Sequence, residues 1–309
     1  MEYDVVGDIH GNNEALETLL AELGYRRSRG SWLGPSDRQI IFVGDFVDRG
    51  PGQVEVISTV RSLMDSGHAL AILGNHELNA IAWHRGFRPD SQKNRKQHQG
   101  FLEQVGERSD LHDELVDWFL TLPMWLDLSE LRVVHACWHW PSIDVLQTRL
   151  ADQRLTDDLI ALATVGASNT IGRDGVPPNE HPVFSAVETL LKGIEVELPE
   201  GVSFLDKDKN RRSSVRVKWW EQPPATYGDV TLSPVHDLAA MATKLPEGVL
   251  PGYDEHKPCF IGHYWRRGRP ELLSPRIACV DYSAGADGPL VAYCWRGEDV
   301  LNAENFRST

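Results

Sequence analysis

The chain has 309 residues, 41% of them hydrophobic, and a formal net charge of −14. That length suits one large domain or two ordinary ones with a full core, and the acidic balance argues against a general nucleic-acid or membrane-surface binder, while leaving room for a phosphate substrate where bound cations invert the local field. Four cysteines without a CxxC pair (Cys137, Cys259, Cys279, Cys294), an N-terminus that runs straight into a strand, and no apolar run near the roughly 20 residues of a membrane span read as a reduced, cytoplasmic protein.

In chain order, Tyr3 to Val6 is a short strand. Asn13 to Leu23 has apolar residues at helical spacing, and Gly24 ends it. Gln39 to Val43 is a second, buried strand. Pro51 opens a second helix, carried by Val54, Ile57, Val60 and Met64 and stopped at Gly67. Ala69 to Leu73 is a third strand. The first 75 residues therefore read β-α-β-α-β, with parallel strands and right-handed crossovers.

A helix follows from Glu77 to Trp83. The window from Arg85 to His98 holds Arg85, Arg88, Lys93, Arg95 and Lys96 against Asp90; it reads either as a solvated loop or as a lid over an anionic substrate. Leu111 to Leu120 is a further helix, and Leu131 to Val134 a strand ending at His135. From about Ile143 to Pro258 the pattern changes to a mixed insertion. Its helices are Asp157 to Thr164, Pro182 to Lys192 and Val235 to Lys244. Val202 to Leu205 and Val215 to Trp220 look like hairpin arms around a polar turn, Asp206 to Asn210. That turn begins like a calcium loop but has Arg211 where glycine is needed and Val217 where glutamate is needed. Cys259 to Ile261, Arg276 to Val280 and Leu290 to Trp295 suggest a closing antiparallel meander.

Five segments at strand ends carry the chemistry: Gly7-Asp8-Ile9-His10-Gly11, Gly44-Asp45-Phe46-Val47-Asp48-Arg49-Gly50, Gly74-Asn75-His76-Glu77, His135-Ala136-Cys137-Trp138 and Gly262-His263-Tyr264-Trp265. Ligand crevices of open α/β sheets lie at such ends. Asp8 and His10, two apart, can point the same way by strand periodicity and make half of a first metal site. Asp45 can bridge to a second metal, which Asn75, His135 and His263 can complete. Nitrogen and oxygen donors without thiolate suit Mn²⁺, Fe or Zn²⁺. Two such cations stay net positive after Asp8, Asp45 and a shared hydroxide are counted, so they attract phosphate. His76 neighbours a ligand, and adjacent side chains diverge, which leaves it facing the leaving group. Asp48 can hold one of its ring nitrogens, and Arg49 offers a planar fork for two phosphate oxygens. His68, His84, His98, His112, His139, His181, His236 and His256 read as surface or core histidines without a ligand role. Each segment alone is a weak signal; the ordered set meets two coordination spheres, an acid and a phosphate clamp.

These segments, GDIHG, GDFVDRG and GNHE followed by a histidine and a Gly-His, resemble the phosphoprotein-phosphatase branch of the calcineurin-like metallophosphoesterases. The resemblance spans residues 3 to 83 most closely, and also 131–138 and 259–295. It implies an α/β fold, a metallophosphoesterase β-sandwich flanked by helices, in a single catalytic domain over 1–309 with an accessory region inserted at about 143–258. It implies two divalent metals, Asp8, His10 and Asp45 on the first and Asp45, Asn75, His135 and His263 on the second. It implies His76 with Asp48 as the acid pair and Arg49 on phosphate. Cys137 and Trp138 depart from the usual fourth motif. Arg211, Arg212, Arg216, Arg266 and Arg267 are candidates for a second phosphate-binding arginine. The expected activity is phosphomonoester hydrolysis, on phosphoserine or phosphothreonine proteins or on small molecules, by direct attack of a metal-bridging hydroxide. The alternative is symmetrical hydrolysis of a dinucleoside polyphosphate such as diadenosine tetraphosphate. Stacking aromatics such as Trp83, Trp138 or Trp140 beside extra arginines would favour the nucleotide. The expected partner is a phosphorylated substrate, with no membrane and no general nucleic-acid binding.

Overall fold

The computed structural model describes residues 1–28, 31–166, 170–171, 173, 181–206, 209–233 and 235–309. Two compact units divide the chain. Met1–Ala136, Leu150–Ala161 and Glu255–Thr309 form the first, and Cys137–Arg149 with Leu162–Asp254 form the second. Among the described residues, no helix is long and apolar enough to cross a membrane.

The first unit is built on two five-stranded sheets. At the centre of one lies Glu2–Val6, parallel to Arg38–Phe42, with Ala69–Ala71 parallel beyond it. On its other side Glu2–Val6 pairs antiparallel with Val291–Trp295, and Phe306–Ser308 closes that edge. Helices Asn13–Glu22 and Gln53–Asp65 connect the parallel strands as expected. The second sheet has Cys259–Ile261 at its centre, parallel to both Arg132–Val134 and Ile277–Cys279. Trp125–Asp127 and Leu272–Ser274 form its antiparallel edges. Central strands covered on both faces read as unbroken apolar runs, and Val5, Val6, Ile40, Ile41 and Phe42 are all fully buried. One apolar cluster takes Val5, Ile41 and Tyr293 from the first sheet and Val133, Phe260 and Ala278 from the second. That shared core, with helices outside, is the expected sandwich.

Several local expectations are corrected. The three closing strands are not a meander: Val291–Trp295 belongs to the first sheet, while Cys259–Ile261 and Ile277–Cys279 run parallel in the second. The basic window is largely helical. Ser91 caps the helix Gln92–Val105, and Arg95 pairs with Asp90 and Glu107. Arg85 pairs with Asp117 and Asp157. Alternating polar residues hid an amphipathic pattern in which Asn94, His98, Phe101, Leu102 and Val105 are buried.

In the second unit, Pro182–Lys192 forms as expected and packs on Trp140–Gln147. The expected hairpin is re-paired. Phe204–Leu205 pairs with Arg211–Arg212, and Ser214–Arg216 pairs instead with Glu195–Glu197. Lys207 and Asp208 of the intervening turn lie outside the described residues. The expected helix Val235 to Lys244 shrinks to Leu238–Met241.

Phe260, fully buried in the shared cluster, tests the sandwich. Phe260→Ala is expected to cost about 3–5 kcal/mol, read as a lowered midpoint in urea unfolding. A loss below about 1 kcal/mol would mean that the two sheets do not share this core.

Candidate functional site

The chain leaves each contributing strand at the same kind of place. Asp8 and His10 follow Glu2–Val6, Asp45 to Arg49 follow Arg38–Phe42, Asn75 and His76 follow Ala69–Ala71, His135 follows Arg132–Val134, and His263 follows Cys259–Ile261. All these residues lie in the first unit. His10, Asp45, Asp48, Arg49 and His263 have φ between +49° and +82°. Left-handed backbone costs a non-glycine residue on the order of 1–3 kcal/mol, and such residues gather at functional sites. Asp and His are among the side chains that tolerate it best. The left-handed turn at His10 also replaces the strand periodicity by which Asp8 and His10 were expected to share a face.

Two glycines permit the close approach. Gly44 has φ +94°, and a Cβ there would fall 2.5 Å from the Gly74 backbone nitrogen. A Cβ on Gly262 would fall 2.1 Å from Asp8 Oδ1.

Glu77 ties two of the segments together. Its Oε2 accepts from the Asp45 and Gly74 amides at 2.8 and 3.0 Å, and its Oε1 from the Phe46 and Val47 amides at 2.7 and 3.3 Å. Burial, reinforced by the charge of Asp45, pushes its carboxyl up to about 7.

Asp45 faces two sets of histidines. Its Oδ2 lies 3.6 Å from His10 Nε2 and 3.9 Å from His76 Nε2. Its Oδ1 lies 3.4 Å from His135 Nε2 and accepts from the His76 amide at 2.9 Å. Asn75 Oδ1 lies 3.1 Å from His135 Nε2 and 2.7 Å from His263 Nδ1. The outer nitrogens of two rings are held by carbonyls: His10 Nδ1 by Val47 at 2.9 Å and His135 Nδ1 by Val43 at 2.7 Å. That turns each Nε2 inward, the nitrogen that would be offered to a metal.

Donor atoms of His10, Asp45 and His76, and separately of Asp45, His135 and His263, lie within 4.8 Å of one another. Asp8 Oδ1 and His10 Nε2 are buried without a hydrogen-bond partner, while Asp8 Oδ2 accepts from the His263 amide at 3.0 Å. Buried polar atoms of this kind need a partner, and a cation supplies one. The residues therefore fit divalent metals.

Asn75 and His76 reach different sides of Asp45: Asn75 Oδ1 lies by His135 and His263, while His76 Nε2 lies 3.9 Å from Asp45 Oδ2, the oxygen that faces His10. What separates His76 is its other nitrogen, Nδ1, which meets Asp48 Oδ2 at 2.5 Å.

The charges are tightly linked. Burial, with Asp281 nearby, raises Asp8 well above the carboxylate range. Burial acts the same way on Asp45, but His135 and His76 hold it well below that range. Burial disfavours charge on His135, yet the Asp45 carboxylate holds it up at about 10. Burial, helped by His76, pushes His10 down to about 4. Burial opposes charge on His76 too, and Asp45 and Asp48 raise it nonetheless. Bound cations would take over the role that these protons play.

Arg49 is exposed, and its guanidinium lies 3.9 Å from the centroid of the Trp265 ring. The Trp265 amide donates to Asp281 Oδ2 at 2.7 Å, and Asp281 Oδ1 accepts from the Ser283 amide at 2.9 Å. The candidate second arginines have other partners. Arg211 donates to Ser203, Arg212 to Asp206, Arg216 to Glu195 and Arg266 to Glu271. Arg267 is exposed, and nothing selects it. Trp83, a candidate stacking platform, is buried, stacked on His112 and lies under Arg95. Trp138 is buried as well, and Trp140 donates to Asp254.

Glu77, Trp265, Asp281 and His98 had no role expected from the sequence. The last is buried and hydrogen-bonded through Nδ1 to Asp48 Oδ1 at 2.9 Å. Its spacing from Phe101, Leu102 and Val105 on one helix face was the available signal.

A family model described as calcineurin-like phosphoesterase matches residues 1–232. An asymmetrical bis(5'-nucleosyl)-tetraphosphatase of Oceanobacillus iheyensis is 46% identical over 76 residues, which are 25% of this chain and 30% of that protein. The chain thus spans under a third of that relative's length. A symmetrical bis(5'-nucleosyl)-tetraphosphatase of Serratia proteamaculans is 32% identical over 256 residues, 80% of this chain and 84% of that protein. The structure of a protein serine/threonine phosphatase from Saccharomyces cerevisiae aligns over 100% of this chain and 79% of that chain, with 14% identity and a TM-score of 0.50. That likeness is one of fold.

Because Asp45 faces both donor groups, Asp45→Asn is expected to weaken both metals together. Elemental analysis after dialysis at limiting Mn²⁺ should find less than half of the wild-type content. Two ions retained at wild-type affinity would exclude a bridging role.

Proposed function

The chain belongs to the calcineurin-like phosphoesterase family, and from that premise we propose that it hydrolyses phosphomonoesters of proteins or small molecules at the Asp45 site. In this reading Asp8, His10 and Asp45 hold one divalent cation, and Asp45, Asn75, His135 and His263 hold the other, with Mn²⁺ favoured and Fe or Zn²⁺ admitted by the same donors. When bound, the two cations would activate a water for in-line displacement and neutralise phosphate charge. The protein supplies the rest. The Arg49 fork, backed by Trp265, binds and orients two phosphate oxygens. Asp48 accepts from His76 Nδ1 and so leaves Nε2 to carry the proton for the departing alkoxide. Residues of the second unit, near the expected 143–258 insertion, are read as an accessory region.

The observation that carries this reading is the His76–Asp48 pair set against a carboxylate, Asp45, that faces both donor groups. An acid beside such a pair suits esters whose leaving group is a poor one. A second reading, symmetrical cleavage of a dinucleoside polyphosphate, is favoured by the name and the length of alignment of the Serratia relative. The two readings share the metals, the acid and the arginine, and differ in the leaving group.

Metal-stripped, Mn²⁺-reloaded protein offered a phosphoserine peptide and diadenosine tetraphosphate in parallel separates them. Orthophosphate from the peptide alone is the expected result; nucleoside diphosphate from the dinucleotide alone would replace the first reading with the second. His76→Ala should lower turnover by roughly 10²–10⁴-fold on an alkyl phosphate and less on an activated aryl phosphate. Equal losses on both would remove His76 from the role of acid.

A further inference from the structure

We propose that His98 is a positioning residue for the reaction, holding the Asp48 carboxylate from the side opposite His76 so that the acid has one orientation. The inference rests on the reading of His76 as the proton donor.

Asp48 is buried, and both of its oxygens are committed. Oδ2 meets His76 Nδ1 at 2.5 Å, and Oδ1 meets His98 Nδ1 at 2.9 Å. Gln97 Nε2 adds a long contact of 3.5 Å to Oδ2. The Asp48 amide donates to Gln53 Oε1 at 2.8 Å, so the backbone is pinned as well. A carboxylate bonded at one oxygen can rotate about its Cβ–Cγ bond and offer either oxygen to His76. Bonded at both, it cannot. The imidazole–carboxylate–imidazole line therefore fixes the ring plane of His76 through a group that never meets substrate.

His98 is well suited to the task. It sits on the inward face of Gln92–Val105, between Asn94 and Phe101, and is 1% exposed. Its Nε2 is buried without a hydrogen-bond partner. A helix position needed only for packing would be filled more cheaply by a leucine, which has no polar atom to bury. An Nδ1–H on this ring is the donor that Asp48 Oδ1 needs at 2.9 Å. The low carboxyl value of Asp48, held at about 2 against the effect of burial by hydrogen bonds from His76 and His98, agrees with two donors on one anion. Partners one step removed from a reacting group commonly change activity by about 10–100-fold when lost.

The test uses full-length, Mn²⁺-loaded protein and three variants at this position. His98→Leu keeps bulk without a donor. His98→Asn puts an amide nitrogen near the place of Nδ1, and His98→Gln puts it near Nε2 instead. Each is assayed on an alkyl phosphate and on p-nitrophenyl phosphate, with His76→Ala as reference and metal content checked by elemental analysis. His98→Leu and His98→Gln should lose about 10–100-fold in kcat on the alkyl phosphate, with KM unchanged and far smaller losses on the aryl phosphate. His98→Asn should recover most of the activity. Should the leucine variant fail to fold, the Asn and Gln pair carries the same comparison. If His76→Ala discriminates between the substrates but the His98 variants lose equally on both, or not at all, the inference is overturned and the acid assignment stands. If His98→Asn is as poor as His98→Gln, the hydrogen bond is not the reason for any loss. Equal losses on both substrates in His76→Ala would overturn the acid assignment and this inference with it.

Discussion

One buried carboxylate holds the site in register. Glu77 accepts hydrogen bonds from the Gly74, Asp45, Phe46 and Val47 amides. These amides come from two loops that leave neighbouring parallel strands, Arg38–Phe42 and Ala69–Ala71. Neither loop has a ladder to satisfy its amides past the strand end, and a buried amide left unpaired is costly. The Glu77 carboxylate does what the ladder would have done, and in doing so fixes the distance between Asp45 and the helix that opens at Asn75. Asn75 and His76 then reach the two groups of donors around Asp45.

The sheets supply the remaining placement. Glu2–Val6 lies between Arg38–Phe42 and Val291–Trp295, so the Asp8 loop is fixed from both ends of the chain. In the second sheet, parallel pairing of Arg132–Val134 with Cys259–Ile261 sets His135 beside His263. The shared apolar cluster joins the two sheets, and the His263 amide reaches Asp8 Oδ2 across 255 residues of sequence. Strained left-handed backbone at His10, Asp45, Asp48, Arg49 and His263 is sustained because each is gripped by such contacts. At His10, Asp45, Asp48 and His263 that backbone accompanies buried, inward-facing side chains at strand ends.

What the sequence made legible follows from this division. The β-α-β-α-β start was readable because helices such as Asn13–Glu22 and Gln53–Asp65 carry local periodicity and end at glycines. The pairing of Val291–Trp295 with Glu2–Val6 was not, because antiparallel pairing over that separation leaves no local trace. The residues of the five segments were readable as candidates because Asp, His, Asn and Arg at strand ends are rare in combination. Glu77 lay within one of those segments, yet its role rests on amides 30 residues away. His98 and Asp281 act through contacts at separations of 50 and 16 residues, and no spacing rule reports those. Trp265 was visible only as an aromatic near His263; that it supports Arg49 is a fact of the fold. The basic window misled for the opposite reason. Its charges are real, but Arg85 and Arg95 answer to Asp117, Asp157, Asp90 and Glu107, carboxylates of the protein itself.

Whether Asp45 would be shared by two cations, as proposed, is decided by anomalous diffraction at the manganese edge from crystals of the Mn²⁺-loaded protein. Two peaks are expected beside the Asp45 carboxylate, the first near Asp8 and His10 and the second near Asn75, His135 and His263, with His76 Nδ1 still on Asp48. A single peak, or a first site that takes His76 Nε2 in place of Asp8, would rule the shared carboxylate out.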